Sequence, residues 1–248
     1  MKTLLQKIQK NYLVTILTVI GLGILIFFLS KIISGSIIEL LKKEIAFSFY
    51  TKNVIFKFFM IVFSIIAMVL LKKGDWKFFG FNKPGEMKYW KFFLKIIGIF
   101  IASLIIFSIL FVGVLNHIFP KGEVTGFPEP DSYLEFILTV WIWSSLAEEI
   151  FCRGLLQSLL SNLKHIKFLR LSIPVIISGL FFGAMHLTLL NGNMGFWFVM
   201  FIVFNASVIG FVVAYYREKT GSLLIAFLIH FTANVVGYLP VFIKLLIA

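Results

Sequence analysis

The fold class predicted by the sequence is an all-α, polytopic membrane bundle of about seven transmembrane helices, or eight if one charged segment counts as an element. Three observations predict it. Hydrophobic residues make up 60% of the 248 residues and charged residues 14%, and the mean hydropathy is +1.02, well beyond the make-up of soluble domains. Apolar runs close to the ~20 residues that cross a hydrocarbon core about 30 Å thick recur from one end of the chain to the other. Between them lie short segments that carry Lys together with Gly and Pro, and the last two punctuate helices. A water-soluble globule is excluded, and the whole chain reads as one membrane domain.

The first span is 12–30. Its basic approach (Lys2, Lys7, Lys10) and apolar run look like a signal peptide, but Ser30, Lys31 and Ile32 follow in place of a small-residue cleavage site, so it reads as a retained helix. The segment 37–49 is apolar but interrupted by Glu39, Lys42, Lys43 and Glu44, and reads either as an interfacial helix or as part of an eighth element. Further spans are expected at 54–71, 92–119, 133–160, 171–190, 196–216 and 222–240. Asn82-Lys83-Pro84-Gly85 and Gly126-Phe127-Pro128-Glu129-Pro130 mark loops between them. Residues 1–91 comprise the N-terminal spans and a basic loop, and residues 92–248 the remaining spans.

Charge alternates along these loops. Lys72, Lys73, Lys77, Lys83, Lys88 and Lys91 dominate the second, and Lys164, Lys167 and Arg170 lie in the fourth. The third, with Glu123, Glu129 and Asp131 against Lys121, is acidic, and the fifth, 191–195, is neutral. This predicts a cytoplasmic N-terminus, although Lys42, Lys43 and Lys52 of the first loop fit that orientation less well. The formal charge of +12, from 23 basic against 11 acidic residues, thus reads as topology signal and headgroup contact, with lipid as the partner and no nucleic acid. The single cysteine, Cys152, excludes an internal disulfide and, flanked by apolar residues, reads as a small hydrophobe.

Charged side chains inside a span cost about 2.5–3.5 kcal/mol each, so they face a protein interior or an aqueous cavity. The fourth span carries Glu148, Glu149 and Arg153, the fifth His186, and the seventh His230 and Asn234. At 1.5 Å per residue from the expected cytoplasmic ends, Glu148 lies at roughly 20 Å, His186 at roughly 22 Å, His230 at roughly 14 Å and Asn234 at roughly 20 Å. Three helices bring polar groups to similar depth. Glu149 and Arg153, four apart, can pair on one face in the favourable acid-first order. Glu148 lies about 100° away around the helix, without a dedicated cation, and is free to act as a general base. His230 and Asn234, also four apart, present two donors to an oxyanion, and His186 can complete the grip on a water molecule. Asn205, mid-span, reads as interhelical packing.

The ordered trio EExxxR, FxxxH and HxxxN, carried here by Glu148-Glu149-Ile150-Phe151-Cys152-Arg153, Phe182 to His186 and His230 to Asn234, resembles the CAAX protease and bacteriocin-processing family of intramembrane peptidases, also called the Abi family. The resemblance covers about 133–238. It implies that Glu148 and His186 activate water, that His230 and Asn234 form the oxyanion hole, and that Glu149 and Arg153 support the site. It implies no obligatory cofactor. Zinc on Glu148, His186 and His230 is the alternative, disfavoured because no HExxH helix is present and Asn is a poor third ligand. The Lys-, Ile- and Phe-rich composition looks like that of a bacterium with an AT-rich genome, which directs the expectation away from prenylated substrates. It points toward bacteriocin or signalling-peptide processing, or self-immunity, in a bacterial cell membrane. A non-catalytic immunity or regulatory protein of the same fold is the competing class. A transporter also tolerates midplane charges, but no inverted repeat is visible.

Overall fold

The computed structural model describes residues 11–85, 89–121, 127–128, 130, 132–192 and 194–247. The readings that fall on Lys2, Lys7, Lys10, Lys88, Glu123, Gly126, Glu129 and Asp131, and on the Lys91 side chain, lie outside the described residues. Helix α1 is Tyr12–Leu41 and α2 is Phe49–Lys72. Helix α3 runs from Tyr89–Phe107 through wider i→i+5 turns at Ser108–Leu115 to Asn116–Ile118. Helix α4 is the helical path 133–159, with wide turns on both sides of Ser145–Glu149. Helix α5, Ile173–Met185, tightens into a 3-10 turn at His186–Asn191, and α6 is Phe196–Thr220 and α7 Leu223–Ile247.

The protein is an all-α membrane bundle. By length and composition, α1, α2, α3, α5 with its 3-10 extension, and α6 can each cross a membrane, and α7 is apolar over Leu223–Leu239. Helix α4 differs because it carries Glu135, Glu148, Glu149 and Arg153. It tolerates them by occupying the centre: residues 147–160 are all buried. Lipid-facing bulk lies elsewhere, as in exposed Leu17, Leu25, Phe28 and Ile32 of α1 and Ile101, Ile105 and Ile109 of α3.

Two differences from the sequence reading change which element a segment belongs to. The segment 37–49 is no separate element, because α1 continues unbroken to Leu41. No proline interrupts it, and its 30 residues reach about 45 Å at 1.5 Å each, so its charged end emerges from the hydrocarbon. Residues 171–172, assigned to the fifth span by hydropathy, form a two-stranded hairpin with Lys167–Phe168. Helix α5 starts after it because the Ser172 hydroxyl accepts from the Val175 N–H and Pro174 occupies the first turn.

Contacts between loops sort the two ends of the bundle. The Tyr12 hydroxyl meets His165 Nε2 at 3.2 Å, Leu223 N–H donates to Gly80 O at 2.8 Å, and Ser222 Oγ donates to Asn82 O at 2.7 Å. Lys73, Lys77, Lys83, Lys164, Lys167 and Arg170 therefore share one end. At the other, Ser48 and Thr51 of α2 donate to Glu135 Oε1 of α4 at 2.9 and 3.2 Å, and Trp197 Nε1 donates to Phe119 O at 2.7 Å.

Helices α5 and α6 touch through glycine. A Cβ on Gly210 would stand 2.8 Å from Gly179 O and 2.9 Å from Gly179 Cα, a backbone approach that small residues permit between membrane helices. Gly210→Ala is expected to destabilise the fold by about 1–3 kcal/mol by forcing the pair apart. Unfolding in detergent measures it, with Gly98→Ala, whose Cβ would meet nothing within 4 Å, as the control that should not lose stability.

Candidate active site

The helical periodicity of α4 divides its three charged residues. Glu149 and Arg153 stand one turn apart, and Arg153 Nη1 donates to Glu149 Oε1 at 2.9 Å with both side chains essentially inaccessible. Arg153 Nη2 donates to Gly210 O of α6 at 3.0 Å, and the guanidinium lies 4.6 Å from the centre of the Phe182 ring of α5. One cation thus ties α4 to both helices of the glycine contact.

Glu149 has a second partner. Its Oε1 also accepts from His230 Nδ1 at 2.8 Å. A carboxylate only accepts, so Nδ1 carries a hydrogen, and His230 Nε2 lies 3.6 Å from Glu148 Oε2. In the neutral ring Nε2 is an acceptor; it donates only when the ring is an imidazolium. His186 is fixed by the same logic: its Nδ1 donates to Phe182 O at 2.9 Å, one helical turn back, which leaves Nε2 as the acceptor. The Asn234 amide donates to Ser145 Oγ at 2.9 Å and to Val140 O at 3.4 Å. The second of these is long and weak.

Glu148 is not free of a dedicated cation. The ammonium of Lys57, from α2, forms a buried ion pair with Glu148 Oε1. The expectation fails because it considers only partners on the same helix, whereas this one crosses 91 residues of sequence. Lys57 is the functional candidate that the sequence reading passes over. The signal was present: it is a cation within the apolar run 54–71, subject to the same cost as the residues singled out on the other spans.

Glu148, His186, His230 and Asn234 all line one cavity of about 190 Å³, together with Lys57, Asn53, Ser144 and Tyr238. Glu149 and Arg153 sit behind it. A second, mostly apolar cavity shares His186, His230, Asn234 and Tyr238 and extends to Phe100, Phe201 and Asn205. Asn205 accepts there from Ser103 Oγ of α3 at 2.9 Å. Cys152 is fully buried and lines neither cavity. The residues do not fit zinc: among the described residues no group of three His, Cys, Asp or Glu could hold a metal ion, and Glu148 is already paired with the Lys57 ammonium.

The family model described as type II CAAX prenyl endopeptidase Rce1-like matches residues 130–236. No curated protein and no solved structure matches the chain.

Proposed function

We propose that this chain, whose residues 130–236 match the Rce1-like CAAX prenyl endopeptidase family model, is an intramembrane peptidase that hydrolyses a peptide bond in a membrane-associated peptide. The observation that carries the reading is the gathering of Glu148, His186, His230 and Asn234, from three helices, around one cavity. In this reading Glu148 Oε2, the oxygen not held by Lys57, takes a proton from water while His186 Nε2 accepts the other hydrogen. The water oxygen bonds to the carbonyl carbon, and the carbonyl electron pair moves onto oxygen. Collapse of that oxyanion breaks the C–N bond, and the proton held by Glu148 passes to the leaving nitrogen. His230, doubly protonated between Glu149 and the oxyanion, donates through Nε2, and Asn234 gives up its weak contact to Val140 O to supply a second donor.

Lys57 then positions the base, and Glu149 and Arg153 orient His230. Removing one such oxyanion donor costs about 10²–10³ in rate. His230→Gln and Asn234→Ala are each expected to lower kcat by that factor with little change in KM, as read from steady-state cleavage of a reporter peptide in liposomes. Equal KM and kcat effects of small size would remove these two from the oxyanion role.

The substrates proposed are bacteriocin or signalling peptides of a bacterial membrane, with the basic end of the bundle cytoplasmic. One observation favours a second reading, a non-catalytic immunity or regulatory protein: the ammonium of Lys57 already neutralises Glu148. Wild type and Glu148→Gln, compared for peptide cleavage in vitro and for protection of cells, separate the two. Loss of both activities supports the peptidase, and full protection by the mutant supports the binding protein.

A further inference from the structure

At the basic end of the bundle, a different cavity is lined by a buried cation that has no direct ion pair among the described residues. Arg217, in the last turns of α6, is 9% exposed. Its guanidinium lies against Gly80, whose φ of +91° suits glycine and where a Cβ would take the guanidinium's place. The loop is therefore shaped around this side chain. Its Nη2 donates to the buried Ser158 Oγ at 3.2 Å, and its Nε has no partner. Among the described residues no carboxylate pairs with it; the adjacent Glu218 turns Oε2 to Ser172 Oγ at 2.6 Å. An unpaired buried charge is costly, and the cavity of about 130 Å³ beside it is lined by Gln157, Ser158, Ser161 and Lys164.

We propose that this cavity binds a phosphate-bearing anion through Arg217, Lys164 and the hydroxyl of Ser161, with Ser158, which donates to Arg153 O at 3.3 Å, holding Arg217 in place. Glu218 also lines it, which leaves one net positive charge for the ligand. Gln157 donates its amide to Ala214 O at 2.8 Å, but its buried Oε1 has no partner. An unpaired acceptor on a residue beside a cationic pocket favours an anion with its own hydroxyl: hydrogen phosphate, or the glycerol phosphate head of a lipid. The position supports either source, since Lys72 Nζ stands 4.3 Å from the centre of the Phe78 ring that forms another wall. Basic pockets between membrane helices at such a face hold lipid headgroups.

The test uses the full chain purified in an uncharged detergent. Native mass spectrometry follows retention of phosphatidylglycerol or phosphatidylcholine, and thermal unfolding follows stabilisation by inorganic phosphate. One phosphatidylglycerol retained, with phosphatidylcholine not retained, supports the site with a lipid source. Stabilisation by phosphate without lipid retention supports it with a free anion. Lys164→Gln, an exposed substitution that leaves the fold intact, and Arg217→Gln are each expected to weaken binding by about ten-fold, the worth of one charge-assisted hydrogen bond. Lys31→Gln, a control on the exposed surface of α1, should leave it unchanged. Equal retention of both lipids, equal weakening by Lys31→Gln, or no response to either anion, as when the cavity holds only water, overturns the proposal.

Discussion

Glu148→Gln is expected to abolish peptide hydrolysis, lowering the rate by about 10²–10⁴, the usual contribution of a positioned general base. Glutamine keeps the shape of the side chain and can still accept from Lys57, but it cannot take a proton from water. The substitution also leaves the buried ammonium without a counter-charge, and breaking a buried pair from one side costs about 3–5 kcal/mol. Inactivity alone would therefore confound chemistry with folding. The double variant Lys57→Met, Glu148→Gln separates them: it removes both charges, should recover most of the lost stability, and should remain inactive. Unfolding midpoints and cleavage rates on the same preparations provide the comparison. A double variant that regained activity would remove Glu148 from the base role.

Arg153→Met should be the most destabilising single change away from the cavity lining, at about 3–5 kcal/mol. It takes the Arg153 cation from the Glu149 carboxylate, leaving His230 Nδ1 on Oε1 and Oε2 without a partner, and leaves Gly210 O without its donor from Arg153. Arg153→Lys should recover only part of the loss, because an ammonium cannot span the two acceptors and stack on Phe182 as the planar guanidinium does. Pairing Arg153→Met with Glu149→Gln should restore stability further, yet not activity, because His230 Nδ1 loses its ionised anchor. Denaturant titration in detergent gives the stabilities. An Arg153→Met protein as stable as wild type would contradict the central role given to this pair.

The helices were legible because lipid imposes a simple constraint: apolar length. Apolar length is a weaker guide where charged residues meet the membrane surface. Charges at Glu39 and Lys42 suggested an extra element, but charged residues can end a long helix that has already left the hydrocarbon, as α1 does. In the site, i,i+4 spacing exposed the Glu149 and Arg153 geometry and the common face of His230 and Asn234, because those relations lie within single helices. Relations between helices were not legible. Nothing local indicates that Lys57 reaches Glu148, that His230 leans on Glu149, or that Ser145 and Val140 occupy the Asn234 amide. Each depends on how α2, α4 and α7 pack, which no single-helix pattern encodes. Arg217 was invisible for the same reason: in sequence it is one more base near the end of a span.

The most direct test of the peptidase reading is cleavage in ¹⁸O-labelled water. Wild type and the Lys57→Met, Glu148→Gln double variant, reconstituted in liposomes with a library of hydrophobic leader peptides, are compared by mass spectrometry of the products. The account predicts a discrete cut by the wild type, one ¹⁸O in the new carboxyl terminus, and no cut by the folded double variant. Identical products from both proteins, or a cut without ¹⁸O, would contradict it.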